Sequence, residues 1–457
     1  MVICLALSII LYTLLAGWRP SNVFPPLASL PLILALFALI VRIHVVRFTR
    51  QWISWYMLLI TMFVWCFFAD FMNGRWQGNL DRYEAFLFAT AFALVCATVV
   101  RSEAKMRFLL FAAVCSTALS SVVAVLQISP YRELFLALWQ WRYMANAPEE
   151  AIPRLRELYT FILNGRAAGM TPYSLTLAHQ IVATGAIAVC LLATERRRSY
   201  RALFTVCLGA LIFGAFATGA RIAIWGSLTS IILTALQIRR PAYAVVRRHY
   251  LQALALFGVF VLAVLTLVIL PSPFSFYKLR ILTTGEAMRL KTWGSIGMLL
   301  SERPQVLLVG LGGGGFNEWG KGVGVLGSTH NQFLGTFVEY GLVGFLLLCW
   351  FYLQTFRLII KRFNINQPLQ KELQWKCMVY RFSYIISLSA YLIASLFHDQ
   401  GAVTGDLFHV MVLSVFVTLS VVINPSILTQ VATLSHQDKI NLREQSQILP
   451  SEVSRND

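Results

Sequence analysis

The chain has 457 residues, of which 58% are hydrophobic and only 13% are charged. This balance excludes an ordinary soluble enzyme and is typical of a polytopic membrane protein. Lysine and arginine outnumber aspartate and glutamate by 38 to 20, which gives a formal net charge of +18. In a membrane protein such an excess reflects topology and contact with anionic lipid, and the sequence contains no basic soluble domain. We therefore expect membrane lipids among its partners and no nucleic acid.

Twelve apolar runs approach the length of about 17 to 25 residues that a helix needs to cross a bilayer. They lie near 1–17, 24–41, 53–69, 84–100, 108–127, 174–194, 202–219, 222–238, 251–270, 332–356, 379–397 and 407–424. The sequence therefore predicts an all-α polytopic membrane protein, with about 12 transmembrane helices in a domain covering 1–424. Residues 425–457 are polar and are expected to form a disordered cytoplasmic tail.

One apolar stretch, from 202 to 238, is too long for a single span. Its only charged residue is Arg221, which follows Thr218, Gly219 and Ala220. Glycine and threonine are common in turns, so the chain is expected to fold back at these four residues.

Positive charge is distributed unevenly between alternate connections of the predicted spans. The short connections on one side carry twenty lysines and arginines, and those on the other side carry four: Arg19, Arg75, Arg82 and Arg221. Short loops rich in lysine and arginine remain in the cytoplasm. The pattern predicts a multi-pass protein with both termini cytoplasmic. It also predicts two long outer loops, near 128–173 and 271–331, the second being a large helical loop between spans 9 and 10.

The first outer loop combines arginines with aromatic residues. Leu134, Leu138 and Trp141 recur at helical spacing, which is typical of an amphipathic helix lying on a membrane surface. Binding of an acceptor substrate is the alternative interpretation. Arg166, in the run Gly165-Arg166-Ala167-Ala168-Gly169-Met170-Thr171, is then a supporting candidate.

Two arginines are the main candidates for binding an anionic group. Arg221 lies between two spans on the outer side, where a positive-inside anchor is not expected, and an arginine there needs water, a partner or an anion. The second outer loop has an excess of basic residues, and a guanidinium group can bind two phosphate oxygens at once. Arg289 is the strongest candidate in that loop because it shares a helix face with Trp293. Arg280 and Lys291 are supporting candidates.

The run Gly310-Leu311-Gly312-Gly313-Gly314-Gly315 allows two interpretations. Successive backbone N–H groups in such a run could form a nest for an anion. Alternatively, the glycines could form a turn between two helices of the loop.

His330 immediately precedes the predicted tenth span. Histidine can accept a proton near neutral pH, so at the mouth of a span it could deprotonate a sugar hydroxyl; the alternative is a hydrogen-bonded residue at the membrane interface. Asn331 is a supporting candidate. Glu339 should lie roughly 13 Å deeper on the same helix, as a buried structural partner. Gly341 and Gly344 should allow a neighbouring helix to approach closely.

A second polar group flanks the last predicted outer turn. His398-Asp399 and Asp406-x-x-His409 contain the ligand types of a divalent metal site. The alternative is that these side chains are solvated at a water interface, and we predict no metal.

Two segments resemble the signature of the O-antigen ligase and polymerase superfamily. They are Thr329-His330-Asn331-Gln332-Phe333-Leu334 and Glu339-Tyr340-Gly341-Leu342-Val343-Gly344. Arg221 and Arg289 occupy the positions of the two important arginines of that family. The layout of twelve spans, with a large outer loop before the histidine, is also similar. The resemblance covers about residues 170–424, and residues before 170 match only as generic spans.

The resemblance implies an inverting, metal-independent glycosyltransferase without a cofactor, acting at the periplasmic face of a bacterial inner membrane. The donor would be a glycan linked to undecaprenyl diphosphate. Arg221 and Arg289 would hold the diphosphate, and His330 would activate the acceptor hydroxyl. A lipid A-core acceptor would make the protein an O-antigen ligase of lipopolysaccharide biosynthesis, which is slightly favoured. A lipid-linked repeat unit would make it an O-antigen or exopolysaccharide polymerase. A small-anion transporter is the alternative of another class.

Overall fold

The computed structural model describes 1–15, 27, 29–40, 48–100, 102–129, 160, 162, 166–171, 173–238, 283–325, 327–360, 371–397 and 407–422. Several predictions concern residues outside this part of the chain: the amphipathic stretch 134–141, the span 251–270, Arg280, His398, Asp399, Asp406 and the tail 425–457.

The described part of the chain contains helices and no strands. Its first α-helices are α1 (Val2–Leu15), α2 (Ser29–Ile40), α3 (Arg50–Met72), α4 (Leu80–Val99), α5 (Glu103–Gln127), α6 (Ser174–Thr194), α7 (Arg198–Ala217) and α8 (Arg221–Ile238). The later ones are α9 (Thr283–Glu302), α10 (Val306–Val309), α11 (Gly315–Gly322), α12 (Gln332–Ile360), α13 (Lys371–Phe397) and α14 (Leu407–Val422). A short 3₁₀ helix, Trp76–Asn79, precedes α4.

Among these, 7 helices are long and apolar enough to cross a membrane: α3, α4 with its 3₁₀ turn, α5, α6, α7, α12 and α13. Four further apolar helices, α1, α2, α8 and α14, coincide with predicted spans but are shorter by the same measure. The chain is therefore an all-helical membrane protein in the part described here. The count of twelve spans stays a prediction.

The long apolar stretch folds back where the sequence predicts. Helix α7 ends at Ala217 and α8 begins at Arg221. Gly219 adopts a left-handed conformation with φ of 59°, and the Thr218 hydroxyl donates a hydrogen bond to the carbonyl of Ala215 (2.8 Å). The glycine permits the turn and the threonine closes the end of α7.

Successive helices run in alternating directions, so the bundle has two ends. The one called the site end holds the turns at 73–79 and 218–220. At the opposite end, the Arg107 side chain of α5 donates to the Glu195 carboxylate (2.8 Å) and to the Tyr380 hydroxyl of α13 (2.7 Å). Because its charge is paired, this arginine can lie half-buried between helices.

Helix α12 is not the continuous span that the sequence predicts. Gly341 has φ of 68° and ψ of −173°, a conformation that breaks the helix. The ring centroids of Phe337 and Phe345 lie 6.4 Å apart, and those of Phe333 and Tyr352 lie 6.2 Å apart. The segment 332–340, called the short helix, therefore folds back along the segment 342–360.

This break corrects two expectations for the predicted tenth span. Glu339 does not lie deeper on a continuous spanning helix; it lies beside the break, where Trp65 of α3 donates to the carbonyl of Tyr340 (2.8 Å). The close approach expected at Gly341 does occur, but to a loop: a Cβ at this position would collide with the carbonyl of Leu308. The short helix, with α9, α10 and α11, forms a small hydrophobic core of its own.

Replacing Gly341 with alanine should lower the thermal stability of the purified protein in detergent. The backbone conformation is one that only glycine adopts readily, and the new methyl group would overlap Leu308, for a combined cost of about 2–5 kcal/mol. Gly209→Ala on α7 is the matched control, because nothing lies within 4 Å of a Cβ there. An apparent Tm of Gly341→Ala equal to that of Gly209→Ala would contradict this account.

Candidate functional site

His330 has an unusual backbone. Its φ of 50° is the one positive value at a non-glycine residue in the described part of the chain. Such a conformation costs about 1–3 kcal/mol and persists where neighbouring contacts enforce it. Here the His330 N–H donates to the Ser328 hydroxyl (3.2 Å), and the Thr329 hydroxyl donates to the carbonyl of Asn331 (2.9 Å). The half-buried imidazole is thus presented from a strained, hydrogen-bonded turn.

Asn331 begins the short helix. Its side-chain oxygen accepts a hydrogen bond from the backbone N–H of Leu334 (3.0 Å), which is the geometry of an N-cap. The role of this supporting candidate in the described structure is therefore to orient the start of the helix that follows His330.

Arg289 is joined to the His330 turn through its helix. The Trp293 indole of α9 donates to the carbonyl of Thr329 (2.7 Å), and Arg289 lies one helical turn earlier on the same face. The Arg289 side chain is half-buried. The supporting candidate Lys291 is exposed, and its ammonium group donates to the carbonyl of Gly324 (3.1 Å). The structure therefore brings α9 and the histidine together and directs Lys291 elsewhere.

An apolar cavity of about 530 Å³ lies beside this contact. Trp293 and Ile296 of α9 form one wall, and Phe333, Phe337 and Phe345, from both parts of α12, form another. Asn331 also lines it, so the cavity reaches the residue next to His330. A cavity with aromatic walls and a polar edge suits an amphiphilic ligand.

Arg221 and Arg166 form a second grouping. The N–H of Ala167 donates to the carbonyl of Ala217 (2.9 Å), which places the backbone of Arg166 against the turn that leads to Arg221. Gln127 holds the same strap, because its side-chain oxygen accepts from Gly169 (2.9 Å). Arg166 is exposed and Arg221 is half-buried at the first position of α8. The positive end of the α8 dipole adds to these two charges.

The glycine-rich run is both a turn and a nest, but its anions belong to the protein. It connects α10 to α11, and most of it is buried. The N–H of Gly313 donates to the Asp70 carboxylate, and that of Gly314 donates to the Glu339 carboxylate (2.9 Å). A substrate phosphate would have to displace these carboxylates, so the nest is an internal anchor.

Glu339 is the buried structural partner that the sequence predicts, with 13% of its side chain exposed. Its second carboxylate oxygen accepts a hydrogen bond from Arg82 (2.9 Å), and the same guanidinium nitrogen donates to the Tyr340 hydroxyl (2.9 Å). Arg82 and Asp70 are residues that sequence reasoning missed. Asp70 does carry a signal, since it is the sole carboxylate in the apolar helix α3 and ionisable residues in spans need a reason.

His409 lies in a different environment from the one expected. Instead of facing water, its side chain is 3% exposed and stacks on Tyr391 of α13, with ring centroids 3.4 Å apart. Packing between α13 and α14 accounts for its position.

Comparisons with known proteins do not assign the chain. It matches no model of a protein family, and no curated protein is significantly similar to it in sequence.

Proposed function

We propose that the protein transfers a glycan from undecaprenyl diphosphate to a hydroxyl acceptor at the periplasmic face of a bacterial inner membrane. The observation that carries this proposal is the bond between Trp293 and Thr329. It joins the helix of Arg289 to the turn of His330, beside an apolar cavity. An anionic head group with a long apolar tail fits a cationic side chain next to such a cavity.

In the proposed reaction, the acceptor hydroxyl attacks the anomeric carbon of the donor sugar. The imidazole of His330 removes the hydroxyl proton as the new bond forms. The bond between the anomeric carbon and the diphosphate oxygen breaks, and the diphosphate leaves with the electron pair. Arg289 and Arg221 stabilise its developing charge, which requires the two groupings to meet at the donor head group. A single displacement inverts the anomeric centre.

The apolar cavity supports the choice of a lipid-linked donor over a soluble nucleotide sugar. The first isoprene units of the donor would lie against Trp293 and the phenylalanines of α12, while its head group meets the half-buried Arg289. Burial of isoprene carbon in this cavity contributes about 25 cal/mol for each Å² removed from water.

The acceptor separates the two enzymes that remain open. With lipid A-core as acceptor the protein is an O-antigen ligase; with another lipid-linked repeat unit it is a polymerase. The exposed Arg166, fastened beside the α7–α8 turn, offers the acceptor a cationic contact in either case.

Deletion of the gene, followed by gel analysis of the surface polysaccharide, tests the function. A ligase predicts free lipid-linked polymer and no decorated lipid A-core. A polymerase of O-antigen predicts a core that carries a single repeat, and one of exopolysaccharide predicts loss of the secreted polymer. Unchanged polysaccharide would refute the glycosyltransferase, and altered anion uptake in the same strain would favour a transporter.

A further inference from the structure

The short helix is anchored at its C-terminal end by a loop distant in sequence. The carbonyls of Val338 and Glu339 accept hydrogen bonds from the N–H groups of Leu311 (2.9 Å) and Gly312 (2.8 Å). Carbonyls at a helix end have no partner within the helix, so these bonds satisfy them and hold the end in place.

That loop is in turn bound to the connection between α3 and α4. The Asn79 amide donates to the carbonyl of Gly313 (3.2 Å), and the Asn73 amide donates to the carbonyl of Gly310 (3.3 Å). Asp70 accepts from the N–H of Gly313 and also from the Tyr83 hydroxyl (2.7 Å). Residues before 100, which the sequence marks only as generic spans, thus make direct contact with the support of the short helix.

Glu339 is the member that connects these contacts. One carboxylate oxygen binds the Arg82 guanidinium of α4 and the other binds the N–H of Gly314. Arg82 and Glu339 are 29% and 13% exposed, so water screens their attraction less than it screens a surface pair. Loss of either charge would leave the other half-buried and unpaired at the base of the short helix.

We propose that Arg82 and Glu339 are positioning residues that set the location of His330, through the glycine-rich turn and the short helix. This inference rests on the proposed function for its consequence in catalysis. The imidazole must meet a hydroxyl in the donor complex, and the short helix is the element whose N-terminal end carries it. A displacement near 1 Å at a reacting group can cost about 100-fold in rate. Neither residue touches substrate in this scheme.

Glu339→Gln tests the proposal because it preserves shape and an acceptor for Gly314 but removes the charge that pairs with Arg82. Transfer would be measured in proteoliposomes, with the lipid-linked glycan fraction of the encoding bacterium as donor. We expect kcat to fall about 10- to 100-fold while the KM for the donor stays within about two-fold, because Arg289 and the cavity are unchanged. Arg82→Lys keeps the charge and should retain more activity than Arg82→Met.

Glu318→Gln is the matched control. Glu318 of α11 pairs with Arg75 (2.6 Å) across the same two regions, but its side chain is 67% exposed. The hydrogen bond from Arg75 lowers the pKa of Glu318, so this surface pair is formed at neutral pH. Such pairs contribute little to stability. This variant should leave kcat within about two-fold of the wild type.

A second readout reports the position of His330 without substrate. Diethyl pyrocarbonate modifies accessible imidazoles, and the modification of His330 can be followed by mass spectrometry of its peptide. We expect Glu339→Gln to change that rate at least about three-fold and Glu318→Gln to leave it unchanged.

The two readouts separate the possible failures. If the wild type transfers no glycan, the proposed function fails, and the modification rate alone decides whether the pair positions His330. If Glu339→Gln matches the wild type in both readouts, the positioning role is refuted. If Glu339→Gln does not fold, Arg82→Lys and Arg82→Met are compared in its place, and equal values for those two would also refute it.

Discussion

Replacing His330 with asparagine is expected to lower the rate of glycan transfer by about 10²–10⁴-fold, the usual contribution of a general base. Asparagine tolerates the left-handed conformation that His330 adopts, so the backbone of the turn should be retained. The amide cannot accept a proton from a hydroxyl at neutral pH. The measurement is initial rate in proteoliposomes, with insertion and thermal unfolding of the variant compared with those of the wild type.

His330→Gly provides the control for backbone strain. Glycine adopts a positive φ without cost, so this variant should unfold at the same temperature as the wild type or higher. It should nevertheless be inactive, and imidazole added to the assay should restore part of the rate in this variant but not in the asparagine variant. Near-normal transfer by either variant in the absence of imidazole would remove His330 from the mechanism.

Replacing Arg221 with lysine should have the second largest effect, a loss of about 10- to 100-fold in kcat/KM. Lysine keeps the charge at the first position of α8, but an ammonium group cannot reproduce the two parallel hydrogen bonds that a guanidinium group makes with a diphosphate. If the charge served only as an interfacial anchor, lysine would be an adequate replacement. The assay is the same transfer reaction at several donor concentrations.

Arg303→Lys is the matched control for this substitution. Arg303 is exposed and follows the end of α9, outside both groupings of candidate residues. Its replacement should leave kcat/KM within about two-fold of the wild type, because an exposed basic residue here contributes only to the general surface charge. Equal effects of the two substitutions would indicate that charge, not diphosphate geometry, explains the behaviour of Arg221.

Much of the helical framework follows from local sequence. The fold at Thr218–Arg221 was predictable because a single helix covering 202–238 would exceed the thickness of a bilayer. The buried partner role of Glu339 was predictable for a related reason, since a carboxylate within an apolar run must find a partner.

The break at Gly341 was not predictable from the same evidence. A glycine in an apolar run fits a close helix contact as well as it fits a change of direction. The two differ only in φ and in which backbone approaches, and here it is the carbonyl of Leu308 that decides. The pairing of Arg82 with Glu339 was hidden for another reason, since the two residues are separated by 257 positions.

Composition and hydrophobic periodicity determined by themselves that this chain is a helical membrane protein, because span length and charge follow from properties of single segments. The residue types of the candidate site, a histidine and arginines near span ends, were also readable there. Only the tertiary structure decided that the short helix is separate from the following span, that the glycine-rich nest holds Asp70 and Glu339, and that α9 contacts the His330 turn. Those facts depend on backbone conformation and on contacts between distant segments, which no local pattern records.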